Sequence, residues 1–353
     1  MRKSSVKALA VMILTLISIS LPACSFDVDE QTLNSDLTVS FIDVGQGDSI
    51  LIQSNNEAML IDAGENDKGT VVVDYLQSHG VENLKYAVGT HPHSDHIGGM
   101  DDVLDNIKTE NFICPETTYS TATWKSVISS AENSGTQIIY AEPYKSYGVG
   151  DATFTIYAPQ TNSIYSSLNN YSVVLRLTYG DNSFLFTGDA EKISEKEMLS
   201  GGYNLSADVL KVGHHGSSGS TSQDFLKAVS PDYAVISCGK DNEYGHPHKE
   251  TLSLLNKSKT EILRTDKLGT IVLTSDGKNV SVNNGSAKTE VKTRNENSSV
   301  KSDITYVGNR NTYKFHMPDC PSVEAILDSN KVYFNSREQA VNANYSPCKS
   351  CNP

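Results

Sequence analysis

The chain has one tryptophan, six cysteines, and no histidine between His96 and His214, although nine histidines are present in 353 residues. The apolar run at residues 8–19 is too short to span a membrane and no other run approaches that length, so nothing in the pattern points to a bundle of spanning helices. The lack of heptads argues against a coiled-coil rod, and the lack of internal repeats against a solenoid. Basic side chains are also in short supply, with 29 Lys and Arg against 42 Asp and Glu, for a net charge of −13. That balance argues against tight, nonspecific binding to nucleic acid, because such affinity comes largely from neutralising phosphates. It leaves open local cleavage of an anionic polymer, where bound metals supply the positive charge. The length is enough to bury a full core and suggests more than one domain.

What is present is concentrated in Thr90-His91-Pro92-His93-Ser94-Asp95-His96-Ile97-Gly98-Gly99, directly after the strand-like run Leu84-Lys85-Tyr86-Ala87-Val88. If His91 and His93 continue the extended chain, the two-residue alternation of a strand puts both imidazoles on one face, where one divalent ion can take both. Asp95 and His96 then sit where the chain turns toward Gly98-Gly99 and a helix-like segment, residues 100–107, so that a second ligand pair is aimed at a second ion. Imidazole with carboxylate suits zinc, manganese or iron, and two ions roughly 3.5–4 Å apart can share a hydroxide and clamp a displacement.

The spacing H-x-H-x-D-H resembles the signature of the metallo-β-lactamase superfamily. Phe41-Ile42-Asp43-Val44-Gly45-Gln46-Gly47-Asp48-Ser49 followed by Leu60-Ile61-Asp62-Ala63-Gly64 resembles the opening strands of its ComEC-like branch, the hydrolase domain of competence DNA-uptake proteins. The glycines flanking Gln46 permit a tight turn, expected to hold Asp48 near the metal mouth. Taken alone, Thr187-Gly188-Asp189 after the strand-like Ser183-Phe184-Leu185-Phe186 reads as a helix N-cap. The resemblance implies instead that Asp189 bridges both ions. It further implies that His91, His93 and Asp189 hold the first ion, and Asp95, His96 and His215 the second. His214 is then expected to contact phosphoryl oxygens or protonate the leaving group, and the opposite order of His214 and His215 stays open. The small-residue loop 216–220 suits an anion. His246, in Asn242-Glu243-Tyr244-Gly245-His246-Pro247, is a further metal ligand or an active-site contact.

One departure bears on the first ion. Lactamases and glyoxalases of the superfamily place a histidine before the T-G-D strand, whereas this chain has Leu168-Asn169-Asn170-Tyr171-Ser172-Val173-Val174-Leu175 there. That segment resembles the asparagine-containing one of the ComEC-like branch and puts Asn170 forward as a weak amide ligand. The first ion is therefore expected to be loosely held, more water-ligated, or manganese in place of zinc.

Arg2, Lys3 and Lys7 precede the apolar run 8–19, which is followed by Leu21-Pro22-Ala23-Cys24. This reads as a signal peptide over residues 1–23, and its end resembles a bacterial lipobox, implying acylation of Cys24 and anchoring to the membrane from outside. A tether, 24–36, leads to residues 37–282, where strands alternate with helices at 69–78, 122–133, 194–200, 222–229 and 249–258. A hairpin around Asp276-Gly277 closes the segment. The alternation is compatible with the superfamily's fold, an α/β architecture in which two sheets are flanked by helices in an αββα sandwich. Residues 283–302 are rich in Asn, Ser, Lys and Glu and read as a linker.

The tail, 303–353, carries His316-Met317-Pro318-Asp319-Cys320 and Cys348-Lys349-Ser350-Cys351, a spacing suited to a closed, structural zinc site of three thiolates and one imidazole. A disulfide with an odd cysteine left over is the alternative. The tail resembles the small metal-binding domain of the Ada DNA-repair protein. His316 replaces that family's first cysteine, the methyl acceptor, and so removes any reason to infer repair activity. Cys114 and Cys238 read as buried thiols, with a disulfide between them left open.

The expectation is thus a lipid-anchored, dinuclear hydrolase using zinc or manganese, plus one structural zinc, with Asp95, Asp189 and His214 at the chemistry. Its expected partner is an anionic phosphodiester polymer, DNA or teichoic acid. Acyl chemistry on lactones, lactams or esters is a second reading. A non-catalytic surface protein that holds a polymer through its tail is a third.

Overall fold

The computed structural model describes residues 37–117, 119–284, 287–288, 306–318, 320–327, 330–334, 340–341, 343 and 345–351. The expected signal peptide, Cys24, the expected tether and most of the expected linker lie outside the described residues. The chain lays down β1 (Leu37–Phe41), β2 (Ser49–Ser54), β3 (Glu57–Ala63), β4 (Asn83–Val88), β5 (Lys108–Cys114) and β6 (Gln137–Tyr140). Then come β7 (Ser146–Val149), β8 (Ala152–Ala158), β9 (Val174–Tyr179), β10 (Asn182–Phe186), β11 (Val209–Lys211), β12 (Tyr233–Ile236) and β13 (Glu261–Arg264). The hairpin of β14 (Ile271–Ser275) and β15 (Val280–Asn284) follows, with the short β16 (Ala287–Lys288). One nine-stranded sheet runs β16-β15-β14-β1-β2-β3-β4-β5-β6, and a seven-stranded sheet runs β13-β12-β11-β10-β9-β8-β7.

Period-two alternation sorts the side chains into three apolar layers. Val39 and Phe41 of β1, Met59 and Ile61 of β3, and Phe184 and Phe186 of β10 fill the space between the sheets. Their neighbours Ala58 and Leu60 point outward against Val72, Leu76, Met100, Val103 and Val127, from the helices Gly69–Ser78, Met100–Asn106 and Ala122–Ser134. Leu185 faces the other way, toward Met198, Phe225, Val229 and Leu255 of the helices Lys192–Ser200, Gln223–Val229 and Lys249–Lys257. The result is the αββα sandwich. Cys114 and Cys238 are both free and lie in opposite outer layers, so they cannot pair with each other. Local chemistry sets the helix ends: Thr121 Oγ1 accepts the Trp124 N–H at the start of Ala122–Ser134, and Gly135 ends it in the left-handed region.

Strands β3 to β6 run parallel, as do β10 to β13. The loops leaving the carboxyl ends of parallel strands emerge along one sheet edge, where open α/β sheets commonly build their sites. The tail forms its own small sheet from β17 (Tyr306–Asn309), β18 (Lys314–His316), β19 (Lys331–Phe334) and β20 (Ser346–Pro347), ordered β19-β17-β18-β20 over Phe315, Phe334 and Tyr345. Its Arg310 guanidinium lies 3.6 Å from the centroid of the Tyr144 ring of the sandwich. Among the described residues no helix is long and apolar enough to cross a membrane.

Phe184 is fully buried between the sheets. Phe184→Ala is expected to lower stability by about 3–5 kcal/mol, read as a shift in the urea midpoint. An unchanged midpoint would mean that this layer is not tightly packed.

Candidate metal centre

After β4 the chain runs through Thr90 and His91, and His93 caps the short helix Ser94–Ile97, which carries Asp95 and His96. The β1–β2 turn clamps this loop from behind. Gly47 has φ 129°, and a side chain there would collide with the Asp95 carbonyl oxygen, which accepts the Asp48 N–H at 3.1 Å. The Gly45-Gln46-Gly47 turn therefore serves as a backbone strut for the histidine loop.

Four histidines, His91, His96, His214 and His215, converge from the two sheets on Asp189, which follows β10. Its Oδ1 lies 3.1 Å from His96 Nε2 and 3.5 Å from His215 Nε2, while Asp95 Oδ2 lies 3.1 Å from His215 Nε2 and 3.8 Å from His96 Nε2. Its Oδ2 faces a different set, His214 Nε2 at 3.5 Å and His91 Nε2 at 3.9 Å. His91 Nε2 is in turn 3.0 Å from His93 Nδ1, close to the ~3.3 Å that separates two nitrogens on one tetrahedral ion with Zn–N bonds of ~2.0–2.1 Å. One carboxylate thus presents each oxygen to a separate ligand set. His96 Nε2 and Asp189 Oδ1 are fully buried and, apart from facing each other at 3.1 Å, have no well-formed hydrogen bond among the described residues, as expected of atoms that fit a metal. His214 and His215 both sit at positive φ, 51° and 53°, a strained pairing for non-glycine residues that recurs at functional sites.

Behind the ligand atoms lies a layer of buried partners. His96 Nδ1 is 2.8 Å from Asp62 Oδ2, and Asp62 also accepts the Thr90 N–H and hydroxyl. His215 Nδ1 is 3.0 Å from the Ser237 carbonyl and 3.3 Å from Asp48 Oδ1, whose other oxygen pairs with Lys211 Nζ at 2.8 Å. Such contacts fix the tautomer that leaves Nε2 free to ligate. Burial raises the Asp48 carboxyl, but Lys211 and His215 outweigh it and hold the group at about 2. Burial keeps His91 well below the usual histidine range, hence neutral and able to donate a lone pair. Burial also disfavours charge on His96, yet Asp189, Asp95 and Asp62 together raise it well above that range, so the field of three carboxylates at this position favours a cation.

The structure moves several expected residues. Asp48 is 1% exposed and lies at the floor of the centre, beside His215, where its carboxylate, His96, Asp189 and His215 bring ligand atoms within 4.8 Å of one another, so it stays a candidate ligand. Asn170 contributes no ligand: its Oδ1 accepts the Glu191 and Ser194 N–H groups and its Nδ2 donates to Glu191 Oε2, so the amide is spent on the start of the helix Lys192–Ser200. Its neighbour Asn169 comes closer, with Nδ2 3.4 Å from His214 Nδ1. The loop 216–220 is not a free anion cradle, because the Ser217, Ser218, Gly219 and Ser220 amides all donate within the fold. The His246 ring centroid lies 5.4 Å from that of His214 and 6.2 Å from that of His215, beside the cluster. The side chains of His214 and Asp95 remain partly exposed, at 25% and 21%, and mark the side open to solvent. Asp62 and Lys211 had no role assigned from sequence. The signal was there, since each is a charged residue inside an apolar strand, where it must be paired.

In the tail, ligand atoms of His316, Cys320, Cys348 and Cys351 all lie within 4.8 Å of one another. The three thiols are free, His316 Nδ1 is 3.4 Å from Cys320 Sγ, and the Met317 and Ser350 N–H groups donate to Cys351 and Cys348 sulfur. Amide donors directed at sulfur suit thiolates, and the donor set fits a closed metal site.

Asp62→Ala is expected to weaken metal affinity about 10- to 100-fold through loss of the His96 partner, measured by competition with a chromogenic chelator. An unchanged affinity would show that Asp62 does not orient His96. Cys348→Ser is expected to remove one equivalent of tightly held metal and unfold the tail, read by elemental analysis and by proteolysis after residue 284. Full metal content with a protease-resistant tail would rule out Cys348 as a ligand.

Comparison with known proteins agrees with this geometry. Residues 42–240 match the metallo-β-lactamase superfamily, and residues 290–353 match the metal binding domain of Ada. The chain is 34% identical over 257 residues to ComE operon protein 3 of Bacillus subtilis, covering 68% of this chain and 33% of that protein. It is 31% identical over 245 residues to Recombination protein 2 of Haemophilus influenzae, covering 66% of this chain and 28% of that one. It is 30% identical over 244 residues to Competence protein ComA of Neisseria gonorrhoeae, covering 69% and 33%. The match thus spans about a third of the length of these curated relatives. With its histidine loop, its T-G-D aspartate and its αββα sandwich in place, the chain belongs to the metallo-β-lactamase superfamily of hydrolases, with an Ada-like metal-binding domain at its carboxyl end.

Proposed function

We propose that this protein is an exported, lipid-anchored phosphodiesterase with a dinuclear centre of zinc or manganese, acting on DNA or on a cell-wall phosphodiester outside the cytoplasmic membrane. The observation that carries the reading is the division of Asp189 between two ligand sets. His91, His93, Asp189 and His214 would hold the first ion. Asp95, His96, Asp189 and His215 would hold the second. His214 then fills the place that the sequence had left to Asn170. When bound, such an ion pair supplies a nucleophile at neutral pH and neutralises charge on phosphoryl oxygens. Asp62, Asp48 and the Ser237 carbonyl hold the imidazoles in orientation, so no side-chain reorganisation is needed as charge develops. Asp95 and His214 border the side from which a phosphodiester would approach. Phosphodiester chemistry is preferred to acyl transfer because two of the relatives are named for recombination and competence. Export and anchoring rest on the sequence preceding Cys24.

The test is hydrolysis of bis-p-nitrophenyl phosphate by the chain from Ser25 onward, metal-free and after reloading with manganese or zinc. Release is expected only after reloading, and His91→Ala and Asp189→Ala are each expected to fall to the metal-free baseline with the fold retained. Full activity in Asp189→Ala would sink the mechanism. A folded, metal-loaded protein that ignores phosphodiesters and opens lactones would transfer the assignment to acyl chemistry.

A further inference from the structure

We propose that Tyr244 is a stacking platform for a nucleobase of the substrate. The proposal rests on the phosphodiesterase reading and narrows it to a polymer that carries bases. The Tyr244 ring is 64% exposed. It lies nearly parallel to the His246 ring, with centroids 5.6 Å apart and planes 20° apart. His246 stands beside His214 and His215, so the outer tyrosine face is one ring removed from the histidine cluster. His246 is 9% exposed, and its Nδ1 has no hydrogen-bond partner among the described residues, which leaves a polar atom unsatisfied beneath the platform.

The turn that carries the platform is held in place. Asn242 Oδ1 accepts the His246 N–H at 2.9 Å, and Asn242 Nδ2 donates to the carbonyls of Gly239 and His246 at 2.8 and 2.6 Å. His248 Nε2 is 3.2 Å from the Tyr244 carbonyl, and Gly245, at φ 70°, closes the turn. A flat, exposed aromatic ring with few side-chain torsions, carried on a fixed turn, loses little freedom when a flat partner lands on it.

Charge favours a base over a bare phosphate chain. With a net charge of −13 the protein draws little affinity from neutralising a phosphate backbone, so substrate binding needs another source. A nucleobase offers a π face to an aromatic ring, and such stacking needs no positive charge. A glycerol or ribitol phosphate chain has no such face.

The test uses the full metal-loaded chain and two fluorescein-labelled phosphorothioate oligomers of equal length, one of thymidine and one of abasic sites, followed by anisotropy. Wild type is expected to bind the thymidine oligomer about tenfold more tightly, within the range of one base–aromatic stack. Tyr244→Phe should keep that preference. Tyr244→Ala should lose it while binding the abasic oligomer as wild type does, which separates lost stacking from lost folding. Retention of the preference in Tyr244→Ala, or equal or absent binding of the two oligomers by wild type, would overturn the proposal. Binding is read without turnover, so a failure to cleave bis-p-nitrophenyl phosphate would count against the phosphodiesterase reading alone.

Discussion

Buried carboxylates must be compensated, and this constraint organises the centre of the molecule. Asp48, Asp62 and Asp189 are essentially inaccessible to water, and Asp95 is mostly so. Lys211 neutralises Asp48 directly. The remaining negative charge falls on His96 and His215, whose affinity for protons rises accordingly, the latter to about 9. Protons compete with a metal for the same nitrogens, and a divalent cation that displaces them leaves the carboxylates paired. The same constraint accounts for the left-handed backbone at His214 and His215. Two consecutive imidazoles reach opposite oxygens of one carboxylate only if the chain turns sharply between them.

The sandwich supplies the accuracy that this compensation needs. Asp62 and the histidine loop come from the carboxyl ends of β3 and β4 in the first sheet, whereas Asp189, His214 and His215 follow β10 and β11 in the second. Neither sheet holds a complete ligand set. The spacing between the sets is fixed by the aromatic and aliphatic layer between the sheets, including Phe41 and Phe186, whose ring centroids are 6.1 Å apart. Packing at interior density resists compression, so a volume change in that layer is transmitted to the ligand distances.

Much of this was legible because its determinants are local. The helix at residues 69–78, the strand before the histidine motif and the hairpin around Asp276-Gly277 follow from short-range periodicity and turn chemistry. The histidine motif itself spans six positions. Partnerships across the fold were not legible. Asp62 pairs with His96 across 34 positions and Asp95 with His215 across 120, and no spacing rule reaches that far. The two asparagines 169 and 170 show the limit most clearly. Both suit a ligand by chemistry, yet Asn170 accepts the Glu191 and Ser194 N–H groups at the start of the helix Lys192–Ser200, while Asn169 Nδ2 lies between Glu191 Oε1 at 3.1 Å and His214 Nδ1 at 3.4 Å.

Donor chemistry separates the two metal-binding groups of the chain. The tail offers three sulfurs and one imidazole around a small apolar core, a soft and closed set with no position left for a substrate. The sandwich offers imidazoles and carboxylates, with Asp95 and His214 still partly open to solvent. Exchangeable ligands and an accessible edge are what a reacting centre requires, and a closed thiolate set is what a folding centre requires. The tail also touches the sandwich away from the ligands, through Arg310 over Tyr144, which stacks in turn on Tyr203. Tyr203 accepts from Gln160 Nε2 at the start of the loop that leads to Asn169. A metal held by the tail would thus stabilise a unit whose contact with the sandwich lies at Tyr144, and the two groups share no ligand.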